Sequence, residues 1–262
     1  MDLLLLVGLA AGTWFPRAPS AFDHSHALWT EVLAARVRGE GVEYEKLKGD
    51  RAKLDQYLAS LEAVMPEEFA AWERSQRYAF WINAYNAYTI RRVVDAYPVA
   101  SVKDLDDDEK RSFWDQEFVP LGRLFAEAGD RKLTLNEIEN EILRPKFKDA
   151  RVHAALNCAS RGCPPLFDQA FVADRLERQL DQRVARWLSS PASIRYDREA
   201  KRLRVSKIFE WYRDDFVRDA DSVKGWIAAH APEAERAWIA GAGDLKIEYL
   251  DYSWKLNDAK GD

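Results

Sequence analysis

Cysteine and histidine are scarce in this sequence. Only two Cys and four His occur in 262 residues, and both Cys lie with one His inside the stretch VHAALNCASRGCPP, residues 152 to 165. A zinc site needs three or four Cys, His or carboxylate ligands. His153, Cys158 and Cys163 supply at most three, in a spacing that fits no common zinc signature, unless His24 and His26 join them. We therefore expect no metal.

The sequence also lacks the features of proteins that bind nucleic acids or nucleotides. Its formal net charge is −5, although 32% of its residues are charged. No basic face interleaved with aromatic residues occurs, so neither nucleic acid nor an acidic lipid surface is expected as a partner. No Gly-rich phosphate-binding motif is present, and we expect no cofactor. The expected partner is a small molecule or a peptide.

The apolar run near the N-terminus is short. It extends from Leu3 to Ala11, whereas a membrane-spanning helix needs about 20 apolar residues. The small residues of APSA follow it, so residues 1–20 are predicted to be a signal peptide cut near Ser20 or Ala21. No Lys or Arg precedes the run, so an atypical membrane anchor is the alternative. A periplasmic or secreted location would permit a disulfide.

Apolar and aromatic residues, by contrast, are plentiful. The chain is 47% hydrophobic and contains ten Trp, ten Tyr and twelve Phe, which suffices for a sizeable core. No Pro/Gly/Ser-rich linker or internal repeat divides it, so residues 21–262 are predicted to form a single globular domain.

The hydrophobic periodicity predicts many helices and few strands. Helices are predicted for SHALWTEVLAARVRGEG, DRAKLDQYLASLEAV, RSQRYAFWINAYNAYTIRRVVDAYP, TLNEIENEILRP, FVADRLERQLDQRVARWLSS, IFEWYRDDFV, SVKGWIAAH and PEAERAWIAG. Their predicted caps are Ser25, Asp50, Ser75 and Thr134, the last with Glu137 as its capping-box partner. Strands are predicted for EFVPLG, RKLTL, Val152–Leu156, the hairpin SIRYDREAKRLRVS and LKIEYLDYSWKL. The expected fold is α+β: helix-rich, with a small antiparallel sheet.

Five blocks resemble a known bacterial family. FDHSHALWTEVL, AFWINAYNAYTIRRV, TLNEIENEILR, VHAALNCASRGCP and SKIFEWYRDDF, in this order, are similar to domain-of-unknown-function family 547, over roughly residues 22–256. The resemblance implies a functional centre around the Asn-containing helix and the His/Cys block. One position differs, because the family usually carries His where this chain has Asn140. A weaker similarity of architecture is to the papain and transglutaminase group of thiol enzymes.

Cys158 is the candidate nucleophile. Turn N–H groups and the charge of Arg161 could stabilise its thiolate, and His153 could act as its base. On a regular strand these two side chains would point to opposite faces, so they meet only if the chain bends at Asn157. A Cys158–Cys163 disulfide in an oxidising compartment is the main alternative, and a buried thiol beside a structural imidazole is another.

Four further side chains are candidates for supporting roles. Asn83 and Asn86 share a helix face, where they either assist catalysis by orienting His153 or donating to an oxyanion, or clamp the Cys158 loop from behind. Glu139 either orients His153 or forms an ordinary surface contact. Substrate-binding roles are assigned to Ser160, Arg161, Trp211 and Tyr212, the last two as walls of a groove.

Two functions remain open. The first is an exported thiol-dependent hydrolase or acyltransferase that acts on an amide, peptide or thioester through Cys158 and His153. The second is a non-catalytic binding module for a small thiol or peptide ligand, in which Cys158 is a contact or a disulfide partner.

Overall fold

A long buried helix, α5 (Arg74–Ala96), organises the N-terminal half of the protein. The computed structural model describes residues 21–108 and 111–260; the predicted signal peptide, residues 1–20, lies outside them. Nearly every side chain from Tyr78 to Ile90 is buried, and a helix that is apolar all round belongs inside a core. The helix begins with a capping box between Glu73 and Gln76, not at Ser75 as predicted.

Short helices surround α5. They are α1 (Ala27–Arg36), α2 (Tyr44–Gly49), α3 (Ala52–Glu62), α4 (Pro66–Ala71) and α8 (Leu176–Trp187), with a two-stranded antiparallel ribbon of β1 (Val37–Arg38) and β2 (Gly41–Val42). Two predicted caps are wrong. Asp50 does not cap α3, and at α1 it is the carboxylate of Asp23, not Ser25, that accepts from the Ala27 N–H.

The middle of the chain is built mainly of single turns. Turns of 3₁₀ helix span Val102–Leu105, Phe113–Asp115, Gly122–Leu124, Ala150–Ala154 and Ala173–Arg175. EFVPLG and RKLTL meet only at the antiparallel bridge between Val119 and Leu133, because each has a single residue in the ladder. The strand predicted for Val152–Leu156 is wrong, since that segment begins with a 3₁₀ turn.

One helical segment of the middle region changes its period. It consists of α6 (Leu135–Glu137), a π-helical turn (Ile138–Leu143) and α7 (Arg144–Phe147). Thr134 and Glu137 form the predicted capping box at its start. The Arg144 N–H donates to the Glu139 carbonyl, five residues back, so one extra residue is accommodated in the turn.

The C-terminal part forms a second hydrophobic cluster around a three-stranded sheet. Its elements are β3 (Ile194–Asp197), β4 (Arg202–Val205), α9 (Ile208–Trp211), α10 (Arg213–Ala220), α11 (Val223–His230), α12 (Glu233–Gly241) and β5 (Lys246–Tyr249). The predicted hairpin is confirmed: β3 and β4 are antiparallel, with Ile194 opposite Val205. The sheet is mixed, not antiparallel, because β5 pairs parallel to β4.

The α+β class predicted from the sequence is confirmed by this arrangement. Ala150 and Ala154 of the 3₁₀ turn pack in the C-terminal cluster, while Val152 packs in the larger N-terminal cluster. His153 therefore lies where the two clusters meet. Among the described residues, no helix is both long and apolar enough to cross a membrane.

Candidate functional site

His153 is buried and bonded to a carboxylate. Its Nε2 lies 2.8 Å from Oδ2 of Asp215, which α10 carries. The ring of Tyr212 stacks on the imidazole with a centroid distance of 4.1 Å. The carboxylate and the ring together fix the orientation of the imidazole.

Asp215 is held in turn by two arginines. Arg144 Nε donates to Oδ2 at 2.6 Å, and Arg218 Nη1 donates to Oδ1 at 2.9 Å. Burial alone would raise the pKa of this carboxyl, but the hydrogen bonds from His153 and Arg144 outweigh it and hold the pKa well below its ordinary value. Asn140 accepts a hydrogen bond from Arg144. Asp215 is therefore an ionised, firmly held partner for His153.

Glu139 lies on the other side of the imidazole. Its Oε1 is 3.7 Å from Nδ1 of His153, beyond hydrogen-bond reach, and its Oε2 is 3.4 Å from the hydroxyl of Tyr85. Burial, and next to it the Glu139 charge, raises the pKa of both Tyr85 and Tyr212, so both stay protonated. The hydrogen-bonded orienting role predicted for Glu139 is occupied by Asp215 instead.

The two cysteines form a disulfide, with their Cα atoms 6.1 Å apart. The N–H of Cys158 donates to Sγ of Cys163 at 2.9 Å. The hydroxyls of Ser160 and Tyr252 each lie 3.1 Å from Sγ of Cys158. Both sulfurs therefore have polar neighbours in addition to their bond to each other.

The C-terminal segment holds the cysteine loop from outside. The N–H groups of Arg161 and Gly162 donate to the carbonyls of Lys255 and Ser253. A Cβ placed on Gly162 would meet ring carbons of Tyr252 at 2.8 Å, so only glycine lets that ring approach the sulfurs. The sequence RGC thus includes a glycine that seats Tyr252 over the disulfide.

The side-chain amides of Asn83 and Asn86 on α5 hydrogen-bond to backbone groups and not to the imidazole of His153. Asn86 Nδ2 donates to the Ala155 carbonyl at 2.9 Å, and its Oδ1 accepts from the Asn157 N–H at 2.8 Å, directly before Cys158. Asn83 makes the same pair of bonds to Phe171. Neither amide is hydrogen-bonded to His153. The geometry of Asn86 matches the clamp interpretation, while Asn83 serves a different segment.

A cavity of about 320 Å³ connects these groups. His153, Glu139, Cys158 and Cys163 all line it. The other lining residues are mostly aromatic: Tyr85, Trp114, Asn136, Leu156, Ile208, Trp211, Tyr212, Tyr252 and Trp254. The sequence-predicted candidates Cys158, His153, Glu139, Trp211 and Tyr212 therefore meet at one cavity.

Other predicted site residues lie outside that lining. Ser160 is buried beside Cys158, and Arg161 reaches toward backbone carbonyls of Leu256 and Asp258; both line a second cavity of about 470 Å³. Sequence reasoning missed Asp215, Tyr252 and Trp254. The block SKIFEWYRDDF did contain Asp215, but a carboxylate on an amphipathic helix gives no sign of which histidine it will meet.

The fold and the site define an α+β protein in which a buried histidine, bonded to Asp215, and a cysteine pair border one aromatic cavity. Residues 69–188 match a family model described as "Protein of unknown function, DUF547". Over that segment the chain resembles the family, and three of the five blocks lie in it; the match is shorter than the predicted residues 22–256 and does not include FDHSHALWTEVL or SKIFEWYRDDF. No curated protein and no solved structure matches the chain. The matched segment contains both cysteines, His153 and Glu139, whereas Asp215 and several cavity aromatics lie C-terminal to it.

Proposed function

We propose that the protein is an exported thiol-dependent hydrolase or acyltransferase, with Cys158 as nucleophile and His153 as base, acting on an amide, peptide or thioester. The observation that carries the proposal is that Cys158 and the Asp215-bound imidazole border the same cavity. Thiol acyl transfer needs a cysteine whose thiol can reach an acid-oriented imidazole, so the proposal requires Sγ of Cys158 to come within hydrogen-bond reach of Nδ1 of His153 once the disulfide is opened.

In this proposal the protein with the Cys158–Cys163 disulfide is an inactive resting state, which must be reduced before Cys158 can react. An external dithiol transfers two electrons to the Cys158–Cys163 bond, leaves as its own disulfide and releases two thiols. Cys163 lines both the aromatic cavity and the second cavity.

In the reduced protein, Nδ1 of His153 accepts the proton of Cys158, because Nε2 is already bonded to Asp215. The thiolate attacks the acyl carbon, a sulfur–carbon bond forms, and the bond to the leaving amine or thiol breaks as His153 returns the proton. Water or a second acceptor then takes the acyl group from Cys158. In the proposal the Tyr252 hydroxyl, 3.1 Å from Sγ, donates to the thiolate, and the Ser160 hydroxyl donates to Tyr252.

A second candidate function is a binding module for a small thiol or peptide. The disulfide itself favours it, since a ligand thiol could exchange with Cys158 or Cys163 and no acyl chemistry would follow. The two functions differ in one respect: only the enzyme needs Cys158 as a free, activated thiol.

The test is the variant Cys163→Ser, which frees Cys158 without reductant, with Cys158→Ser as its matched control. We expect Cys163→Ser to react with iodoacetamide with a thiol pKa below the ordinary value of about 8.5, and to hydrolyse p-nitrophenyl acetate and thioesters. Cys158→Ser leaves Cys163 as the free thiol, which should react with an ordinary pKa and hydrolyse neither substrate. If the free Cys158 has an ordinary pKa and no acyl substrate is turned over, the enzyme is ruled out and the binding module remains.

Export is tested separately. We propose a periplasmic or secreted location after removal of residues 1–20, and N-terminal sequencing of the protein recovered from the periplasm or medium should begin near Ala21. Recovery of the full-length chain from the cytoplasm alone would contradict it.

A further inference from the structure

Among the described residues, the aromatic cavity is lined by one carboxylate, Glu139, and one imidazole, His153. No Lys or Arg of the described part of the chain lines it. Glu139 is only 6% exposed, and His153 is its sole ionic neighbour within 4 Å among the described residues. His153 is shared, since its Nε2 is bonded to Asp215 and its Nδ1 lies 3.7 Å from Glu139, whereas Arg144 and Arg218 both pair with Asp215. Among the described residues, Glu139 therefore pairs with no Lys or Arg.

Part of the same lining consists of contacting rings. Trp254 stacks on Trp211 at 5.7 Å, lies 4.5 Å from Tyr252 and lies 5.6 Å from Trp114, all as centroid distances. Trp211 is 47% exposed, one of two large apolar side chains among the described residues that are so accessible. Faces of Trp and Tyr attract cations through their ring quadrupoles. Lys103 already lies over the Trp254 ring without lining the cavity.

A buried carboxylate and a wall of aromatic faces attract the same kind of group. A carboxylate or phosphate ligand would be repelled by Glu139 and would meet no Lys or Arg among the described lining residues. A neutral ligand would leave Glu139 with only the imidazole that it shares with Asp215, and a poorly paired buried charge is costly in an apolar site. A protonated amine meets both the carboxylate and the rings.

We propose that this cavity binds an alkylammonium group, so that the substrate carries a protonated primary amine; this rests on the proposed function only in taking the cavity as the substrate site. The ammonium N–H groups donate to Glu139, and the alkyl chain lies against Trp211 and Trp254. A volume of about 320 Å³ suits a small amine or one side chain, such as lysine, of a peptide.

Two probe pairs test the proposal by calorimetry at pH 7 on the oxidised full-length protein. Butylamine is compared with butan-1-ol, and Nα-acetyl-lysine amide with Nα-acetyl-norleucine amide; in each pair only the first member is charged. We expect the charged member to bind at least about tenfold more tightly. Tighter binding of the lysine amide than of butylamine would identify a peptide as the source of the amine, and the reverse a free small amine.

Three variants locate the effect. Glu139→Gln should remove the preference for the charged probe while keeping the side-chain volume. Trp211→Leu, at an exposed position, should weaken both charged probes by about tenfold. Trp238→Leu is the matched control, since Trp238 packs on Tyr196 outside the cavity, and it should change nothing.

The proposal is overturned if charged and neutral members bind equally, if neither charged probe binds, or if Trp238→Leu weakens binding as much as Trp211→Leu. Its failure is distinguishable from that of the proposed function. Amine binding without any reactivity of Cys158 would remove the enzyme and keep the amine site. Acyl turnover by Cys163→Ser without a preference for charged probes would keep the enzyme and remove the amine site.

Discussion

At the scale of the residue, Asp215 decides the orientation of His153, and its ionisation should be visible in stability. Its folded-state pKa lies below the ordinary value of 3.8, so below about pH 4 the unfolded chain binds a proton that the native state does not. The stabilisation is therefore present above pH 4 and is lost as the pH falls further. Urea unfolding between pH 2 and 7 should show this decline in the wild type and a smaller decline in Asp215→Asn. An equal decline in both would contradict the prediction.

His26 is a second residue whose protonation should make the stability depend on pH, and it lies outside the proposed acyl-transfer site. Burial lowers its pKa to about 3 from 6.5, while its Nδ1 lies 2.8 Å from the hydroxyl of Tyr57. Between pH 6.5 and 3 only the unfolded chain takes up this proton, so stability should fall as the pH falls through that window.

His26→Asn is the informative variant for this window. His26 has φ 49°, a left-handed conformation that Asn tolerates, and an amide can replace the contact of Nδ1 with Tyr57. We expect the unfolding free energy of His26→Asn to vary less between pH 6.5 and 4 than that of the wild type, as measured by urea unfolding. Parallel curves would show that His26 is not the group responsible.

At the scale of the element, helix α5 offers two chemically identical clamps with different targets. Asn86 and Asn83 each make two hydrogen bonds to buried backbone. Replacing either by Ala leaves a backbone N–H and a carbonyl without partners and should lower the unfolding free energy by about 2–4 kcal/mol.

Only Asn86→Ala should also affect the cysteine loop, because Asn86 holds the residues directly before Cys158. In a Cys163→Ser background, we expect Asn86→Ala to change the iodoacetamide rate of Cys158 and Asn83→Ala to leave it unchanged. If both variants alter the rate alike, the clamp does not act locally.

The π turn is a second feature at this scale, and it places Glu139 and Arg144. An α-helical period sets these residues on different sides of the helix, whereas the turn brings both toward His153 and Asp215. The sequence TLNEIENEILRP correctly predicts the helix and its capping box. It gives no sign of the extra residue, because the π turn is maintained by tertiary contacts of the two side chains.

At the scale of the whole molecule, the disulfide should contribute stability without being needed for folding. Cys158 and Cys163 are five residues apart, and a cross-link closing so small a loop restricts the unfolded chain by about 2 kcal/mol. The native loop is also hydrogen-bonded to residues 253–257, so it keeps its partners after reduction.

Urea unfolding with and without a reductant measures this contribution. We expect the reduced protein to remain folded and to lose about 2 kcal/mol. The Cys163→Ser variant, which has no disulfide, should not respond to the reductant. Complete unfolding on reduction, or no loss of stability at all, would contradict the prediction.

The sequence by itself determined the α+β class, most helices, the β3–β4 hairpin and the segment that contains the cysteines. These features depend on local periodicity, capping residues and turn chemistry, which short stretches of sequence carry. Predictions from local sequence were less reliable where the same residues suit more than one backbone conformation. Val152–Leu156 is apolar enough for a strand, but the backbone there forms a 3₁₀ turn held from behind by Asn86.

Only the tertiary structure decided what His153 and Cys158 face. His153 meets Asp215 across 62 residues, and Cys158 meets Tyr252 across 94. Contacts at such separations depend on how the two hydrophobic clusters pack, and no periodicity in the sequence encodes that packing. The same packing brings Trp211, Tyr252, Trp254 and Glu139 to the lining of one cavity and so gives it its aromatic and acidic character.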